Sequence, residues 1–388
     1  MRPVAGIAKR LLSAALLVGA SLVVALTLAE GLLRVFPQAL PVEVRIALEN
    51  SPATRGIADP YLGHRPVPGV VSTIWTRDFQ HDYVADSRGF RNAEPWPQTV
   101  DIAVIGDSLV FGYGVDEREH AWPQMLEQLL PGREVLNLGL VGAGPQQYAR
   151  IFERIAAPAR PKLVIVGFYA HNDFWDADLF EQWTIQGGQG NYMVWRDFER
   201  TVAPVSEVSL FAKLRIFLGK HSHLYAFSRV VGSMVRSRAN GEPILLPWSD
   251  GSRLVLMPHT ADAMTRHAAA GDPVFATAMR AVADLRDSVA ATDAELLIVL
   301  QPSKEEIYMS FAGQPAPDYS ADLRPALDEL GIQHLDLAPA FRERAAQGER
   351  LFFPTDGHPT DAGYRLTAEA VAAFLRHSGW VDRWEPGA

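Results

Sequence analysis

The apolar positions of this chain fall into three regimes. From Leu11 to Ala29 nineteen consecutive residues carry no charge. From residue 30 to 98 the pattern breaks up around prolines. From Asp101 onward short, solid apolar runs alternate with segments of helical periodicity. The first regime has the length of a membrane span: about 20 apolar residues cross a hydrocarbon core at about 1.5 Å per residue. Arg2, Lys9 and Arg10 precede it and Glu30 follows it, so the positive-inside bias puts the N-terminus in the cytoplasm and the rest outside. A cleaved signal peptide is the rival reading. Its apolar region would run about 7–15 residues to a small-x-small cleavage site. The run here is longer, and Thr27-Leu28-Ala29 fits that site poorly. The expectation is an uncleaved, single-pass cell-membrane anchor meeting the bilayer through residues 11–29. A buried soluble helix is the third alternative.

The second regime holds Pro37, Pro41, Pro52, Pro60, Pro66, Pro68, Pro95 and Pro97. Asp59–Gly69 reads as turns and extended chain, and Asp82–Asn92 as a short hairpin or edge strand. The whole stretch is expected to pack on the main domain as an extension.

In the third regime, Asp101–Gly106, Glu134–Gly139, Lys162–Phe168, Glu295–Gln301 and Ile332–Leu337 read as buried strands. Helical spacing marks Ala121–Leu130, Pro145–Ala156, about residues 272–292, and Asp361–His377. Short buried strands alternating with helices imply a parallel sheet covered on both faces. The fold class is therefore α/β: a flavodoxin-like, three-layer α/β/α arrangement with a five-stranded parallel sheet. About 125 residues separate the third and fourth strands, where a crossover needs about 30. The excess is a large insertion at about 174–271, with helices expected around Ser206–Gly219 and Leu224–Arg238 and an apolar segment from Ile244. It leaves the carboxyl end of a strand, where ligands bind in such sheets, so it reads as a lid or specificity element, with a structural cap as the alternative. The domains expected are 1–35 (anchor), 36–98 (extension) and 99–388 (body with insertion).

Composition narrows the chemistry. The 388 residues carry a net charge of -9, which lacks the cationic footprint of nucleic-acid binding. There is no cysteine, so disulfides, Fe–S clusters, cysteine zinc ligands, thiol nucleophiles and a lipid-modified cysteine are excluded. No HExxH, P-loop or dinucleotide motif appears, and His221-Ser222-His223 lacks a third ligand. Neither a metal nor a cofactor is expected. The oligomeric state is left open.

Four short blocks lie at the predicted carboxyl edge. Gly106-Asp107-Ser108 follows the first strand, where a serine at a helix start exposes its hydroxyl beside outward-facing N–H groups. By itself this is also a plain turn. Asn137–Gly144 ends the second strand, and a glycine there lets backbone approach a ligand. His171-Asn172-Asp173 ends the third, where Asn172 could donate to an oxyanion or cap a helix. Asp356-Gly357-His358 precedes the last helix and could supply a base and its orienting carboxylate, or a turn. Lys304, after the fourth strand, could meet an anionic substrate. Asp107 and Asp173 read as loop-formers.

Taken in order, these blocks resemble the SGNH hydrolases, also called the GDSL esterase/lipase superfamily, over about Asp101–Leu375. The Asp59–Asn92 region is similar to the leader of membrane-anchored members. The resemblance implies Ser108 as nucleophile, His358 and Asp356 as its catalytic partners, and an oxyanion hole of Ser108, Gly142 and Asn172. Two departures stand out. Ala170 occupies a usual glycine position of the third block. Asp356 and His358 are two residues apart, where the common block has three. The shorter spacing resembles O-acetyltransferases acting on exopolysaccharides. The leading expectation is an extracytoplasmic serine esterase removing O-acyl groups from envelope glycans or lipids. An O-acetyltransferase with the same triad and a non-catalytic envelope scaffold are the alternatives.

Overall fold

The five solid apolar runs form five short strands of one sheet: β5 (Ile102–Gly106), β6 (Val135–Gly139), β7 (Leu163–Phe168), β10 (Glu295–Leu300) and β11 (Gln333–Asp336). In this computed structural model, residues 3–36, 38, 40–49, 56–196, 214, 217–218, 221–239, 243–257, 267–381 and 383 are described. The strand order is β11-β10-β7-β5-β6, and every pairing is parallel. In chain order this is 2-1-3-4-5, the flavodoxin-like arrangement, whose ligand crevice opens between β5 and β7.

Alternation along each strand feeds two cores. Ile102 and Val104 face one helical layer with Ile165 and Val299; Ala103 and Ile105 face the other with Val166 and Ile298. The first layer is built by α4 (Trp122–Leu129) and α13 (Asp361–His377), and Tyr364, Ala368, Val371 and Leu375 form the buried stripe of α13. The second comprises α5 (Pro145–Ile151), α9 (Pro273–Ala290) and α11 (Leu323–Glu329), through Tyr148, Ile151, Phe275, Val282, Leu285 and Leu323. Helix α6 (Asp173–Ile185), directly after β7, joins this second layer. Its Phe174 stacks on Phe275 at 5.1 Å.

The proline-rich stretch carries two antiparallel hairpins, β1 (Ile57–Asp59) with β2 (Gly63–Arg65) and β3 (Val71–Trp75) with β4 (Gln80–Val84). The strand read near residue 82 thus pairs backward with β3. The sequence beyond it, Ala85–Asn92, is a turn organised by Asp86, which accepts from the backbone N–H of Arg88, Phe90 and Asn92 at 2.9–3.2 Å.

Between β7 and β10 lie α7 (Tyr192–Val194), α8 (His223–Ala239) and the hairpin of β8 (Ile244–Pro247) with β9 (Arg253–Leu256). The helix expected at Ser206–Gly219 falls almost wholly outside the described residues. Helix α1 (Pro3–Val35) is long and apolar enough, over Ser13–Val35, to cross a membrane, and Leu16, Leu22, Val23 and Leu28 are exposed on it. Near its end Glu30 accepts from Ser222 Oγ and from the N–H groups of His223 and Leu224 at 2.8–3.0 Å, capping α8 from outside.

Candidate active site

Strand β5 ends at Gly106, and the chain turns at once into α3 (Ser108–Phe111). Asp107 caps this short helix, its Oδ1 accepting from Leu109 N at 2.8 Å. Small residues permit the tight turn. A side chain on Gly139 would collide with the backbone nitrogen of Phe111, so only glycine lets α3 sit against the end of β6. Ser108 itself is 92% shielded from solvent, at the head of that helix.

His358 approaches from a chain segment 250 residues away, with Nε2 2.8 Å from Ser108 Oγ. Its Nδ1 lies 2.6 Å from Asp356 Oδ1, and the same oxygen accepts from His358's own backbone N–H at 2.9 Å. The two-residue spacing therefore closes an Asx turn that brings ring and carboxylate together. A carboxylate only accepts, so Nδ1 carries the proton and Nε2 presents its lone pair to the serine hydroxyl. Burial works against the charge on Asp356. Attraction to His358, the hydrogen bonds from its ring and backbone N–H, and the nearby Lys304 ammonium outweigh it and hold the carboxyl below its ordinary value.

The loop carrying these two residues is closed by a bridge between Phe352 and Pro359 and by Phe353 N donating to His358 O at 3.1 Å. Three other segments hold it. Asp78, in the turn between β3 and β4, takes Thr355 N and Oγ1 at 2.8 Å and Asp356 N at 2.6 Å on one oxygen. Lys304 opens α10 (Lys304–Tyr308) and donates to the carbonyls of Phe353, Pro354 and Asp356 at 3.0–3.4 Å. In β9, Val255 N donates to Pro354 O at 2.8 Å. Lys304 is 98% shielded, and its pKa is lowered by burial. Lys304, a candidate contact for an anionic substrate, instead spends its ammonium on three carbonyls of this loop. Tyr113 completes the surround, its ring 4.4 Å from the His358 ring.

The oxyanion candidates are placed at adjacent strand ends. Asn172 occupies the cap position of α6, yet its side chain makes no cap hydrogen bond. Its Nδ2 instead reaches Asp107 Oδ2 at 3.4 Å, beside the serine. Gly142, on the loop after β6, has φ +74°, and a side chain there would strike Met193 and Arg196. That loop is tied to the serine strand by Leu140 N donating to Gly106 O at 2.9 Å. Asp107 and Asp173 are fully buried, and burial raises both carboxyl pKa values. Asp173 accepts from Tyr148 OH and Tyr169 N at 2.9 Å and fastens the third loop. His171 packs against Tyr169 and Tyr319.

The supports on the proline-rich stretch were not assigned from sequence. Buried Arg91 donates to the carbonyls of Gly112 and Asp116 at 2.9 Å, behind α3. Asn92 exchanges bonds with the backbone of Asn137 in β6 at 2.8 and 2.9 Å. Nothing in the local sequence of Asp78 or Arg91 marks these roles, because their partners are far along the chain. Among the described residues no cluster of three His, Asp or Glu could hold a metal ion.

A serine hydroxyl facing a neutral imidazole, with a carboxylate on the far nitrogen, can perform nucleophilic acyl transfer. Comparison with known proteins bears on this arrangement. The GDSL-like Lipase/Acylhydrolase family model matches residues 104–366. Among solved structures, similarity is found to a two-domain esterase active on acetylated mannans, with 13% identity and TM-score 0.37, covering 72% of this chain and 49% of that one. The chain thus spans about half the length of that esterase. It is also similar to a member of the lipolytic G-D-S-L family from Veillonella parvula (13% identity, TM-score 0.35, 71% and 97% covered). A catalytic mutant of an acetylxylan esterase from Geobacillus stearothermophilus gives 12% identity and TM-score 0.36, with 72% and 94% covered. No curated protein sequence matches the chain.

Proposed function

The chain belongs to the GDSL-like lipase/acylhydrolase family and hydrolyses ester bonds, and from that premise we propose that Ser108, His358 and Asp356 carry the reaction. The observation that supports this most is the continuous chain from Ser108 Oγ through His358 to Asp356, at 2.8 and 2.6 Å. Ser108 Oγ attacks the ester carbonyl carbon while its proton passes to His358 Nε2, and Asp356 stabilises the imidazolium. The oxyanion is taken by the N–H groups of Ser108 and Gly142 and by the Asn172 amide; the second N–H of that amide is left for Asp107. Collapse expels the alcohol, which receives the proton from His358. Water then enters, gives a proton to the same nitrogen, and releases the acid, restoring Ser108.

The body, residues 99–388, acts outside the cytoplasm on O-acyl groups of envelope glycans or lipids. It is tethered by an uncleaved anchor in residues 1–35, with the N-terminus inside. The extension, 36–98, packs on it, and the insertion at about 174–271 borders the crevice. An apolar helix at the N-terminus preceded by basic residues supports the tether. A serine-directed fluorophosphonate should label Ser108, and an acylated glycan should yield free acid. Appearance of the acyl group on a sugar hydroxyl instead of water would make the protein an O-acetyltransferase, a reading favoured by the two-residue Asp–His spacing. Failure of the probe to label Ser108 would remove Ser108 as the nucleophile.

A further inference from the structure

The loop after β6 begins with a four-residue turn, closed by Ala143 N donating to Leu140 O at 3.0 Å. Its third residue, Gly142, has φ +74°, while the φ of Val141 is negative. That combination defines a type II turn. Its central peptide is Val141–Gly142, and rotating that peptide by about 180° converts the turn to type I. The peptide is trans and planar, so Val141 C=O and Gly142 N–H point in opposite directions. Whatever grips the carbonyl therefore aims the N–H. Among the described residues none accepts from Gly142 N–H.

His64, in β2, grips that carbonyl. Its Nε2 lies 2.9 Å from Val141 O. A carbonyl oxygen only accepts, so Nε2 carries the proton and donates. The side chain is held firmly. His64 is 1% exposed, and its ring lies 5.9 Å from the Tyr192 ring of α7. The residues just before it are tied down by Asp59 Oδ1, which accepts from Tyr61 N and Leu62 N at 2.8 Å. Gln147 of α5 donates to Leu62 O at 2.7 Å. Arg196 Nη1 reaches Gly142 O at 3.4 Å, but that oxygen belongs to the next peptide, so the rotation of Val141–Gly142 is left to His64. A donor on a peptide carbonyl also polarises the N–H at the other end of the same peptide, as in any chain of hydrogen bonds. His64 lies outside the family-matched residues 104–366, so the extension supplies it.

We propose that His64 is a positioning residue for the oxyanion hole. From behind the turn it holds the Val141–Gly142 peptide with its N–H toward the oxyanion, without touching substrate. The inference rests on the proposed role of Gly142 N–H as an oxyanion donor.

The test uses the full chain in detergent with 4-nitrophenyl acetate. His64→Phe keeps a ring but has no donor, and His64→Gln keeps an N–H at similar reach. The oxyanion forms only in the transition state, so the bond should act on kcat and not on KM. His64→Phe should lower kcat by about 10- to 100-fold with KM within about two-fold. His64→Gln should turn over at least about five-fold faster than His64→Phe. Urea unfolding of each variant fixes the conditions in which it is fully folded, and kcat is compared there. Wild-type kcat in folded His64→Phe, or equal losses in His64→Phe and His64→Gln, overturns the proposal and leaves the esterase intact. If His64→Phe does not fold, His64→Leu makes the same comparison. If neither donorless variant folds, the bond is structural and the positioning role is overturned. Undiminished kcat in Asn172→Ala would instead overturn the oxyanion hole itself, and the role of His64 with it.

Discussion

The two halves of the site are held in place by different means. Ser108 and Asn172 stand just past the ends of β5 and β7, neighbouring strands paired in register from Ile102↔Leu163 to Gly106↔Gly167. Their positions follow from a ladder in which every residue of both strands is buried. Asp356 and His358 stand on a loop with no place in that sheet. Asp78, Lys304 and Val255 pin it, one each from the extension, the start of α10 and the inserted hairpin. One half inherits its geometry from regular structure. The other is assembled from long-range polar contacts, any of which a single substitution can remove.

Substitutions ranked by expected effect test that contrast. Ser108→Ala should lower kcat by about 10⁶-fold, to the level left by binding alone. Thermal unfolding should be nearly unmoved, because the strand end holds itself. Asp356→Asn should cost about 10⁴-fold, since the amide can turn N–H toward His358 and favour the wrong tautomer. Asn172→Ala should cost about 10²- to 10³-fold in kcat. That side chain does not cap α6, but it donates to buried Asp107, so the urea midpoint should fall with it, by at most the about 1–3 kcal/mol that a buried acceptor left unsatisfied costs.

Asp78→Ala separates the halves most directly. It leaves Thr355 N and Asp356 N without their acceptor, at about 1–3 kcal/mol of stability. The freed loop should reduce kcat by about 10²-fold with KM little changed, as a displacement near 1 Å does. Fluorophosphonate labelling should slow in parallel. An unchanged kcat would show that the loop holds itself as the sheet does.

The smallest effect is on pH dependence. Glu306, in the helix cap beside Lys304, accepts from Ser303 N at 2.7 Å and Tyr319 N at 3.0 Å, yet burial raises its pKa to about 7. The folded protein thus holds this proton more tightly than the unfolded chain. Its contribution is complete below about 4.5 and lost progressively as pH rises to about 7. Urea midpoints should fall across that window. Asp356 adds the opposite slope at lower pH, where its depressed pKa makes protonation destabilising. A flat profile from 4.5 to 7 would remove Glu306 from the account.

Legibility in the sequence divides along the same line. All five strands, the closing helix Asp361–His377 and the order of the site blocks were readable, because apolar alternation and glycine at strand ends are local signals. Asp59–Gly69 was readable as turns and extended chain and Asp82–Asn92 as a short hairpin or edge strand, but the partner was not, since pairing backward from Gln80–Val84 to Val71–Trp75 leaves little mark in one strand. The role of Lys304 was not legible: a lysine after a strand looks the same whether it faces a substrate or three carbonyls. Asp78 and Arg91 carried no signal at all.

The sequence by itself determined the sheet and its order of chemistry, because strands, strand-end turns and the apolar N-terminal span are set by residues close together. It also determined that serine, not cysteine, is available at the sheet edge. Only the tertiary structure decided that Asp356 and His358, two residues apart, close onto Ser108. That outcome depends on a turn whose carboxylate accepts from its own histidine, and on anchors 49 to 278 residues distant. Hydrogen bonds of that span leave no periodicity for a sequence to display.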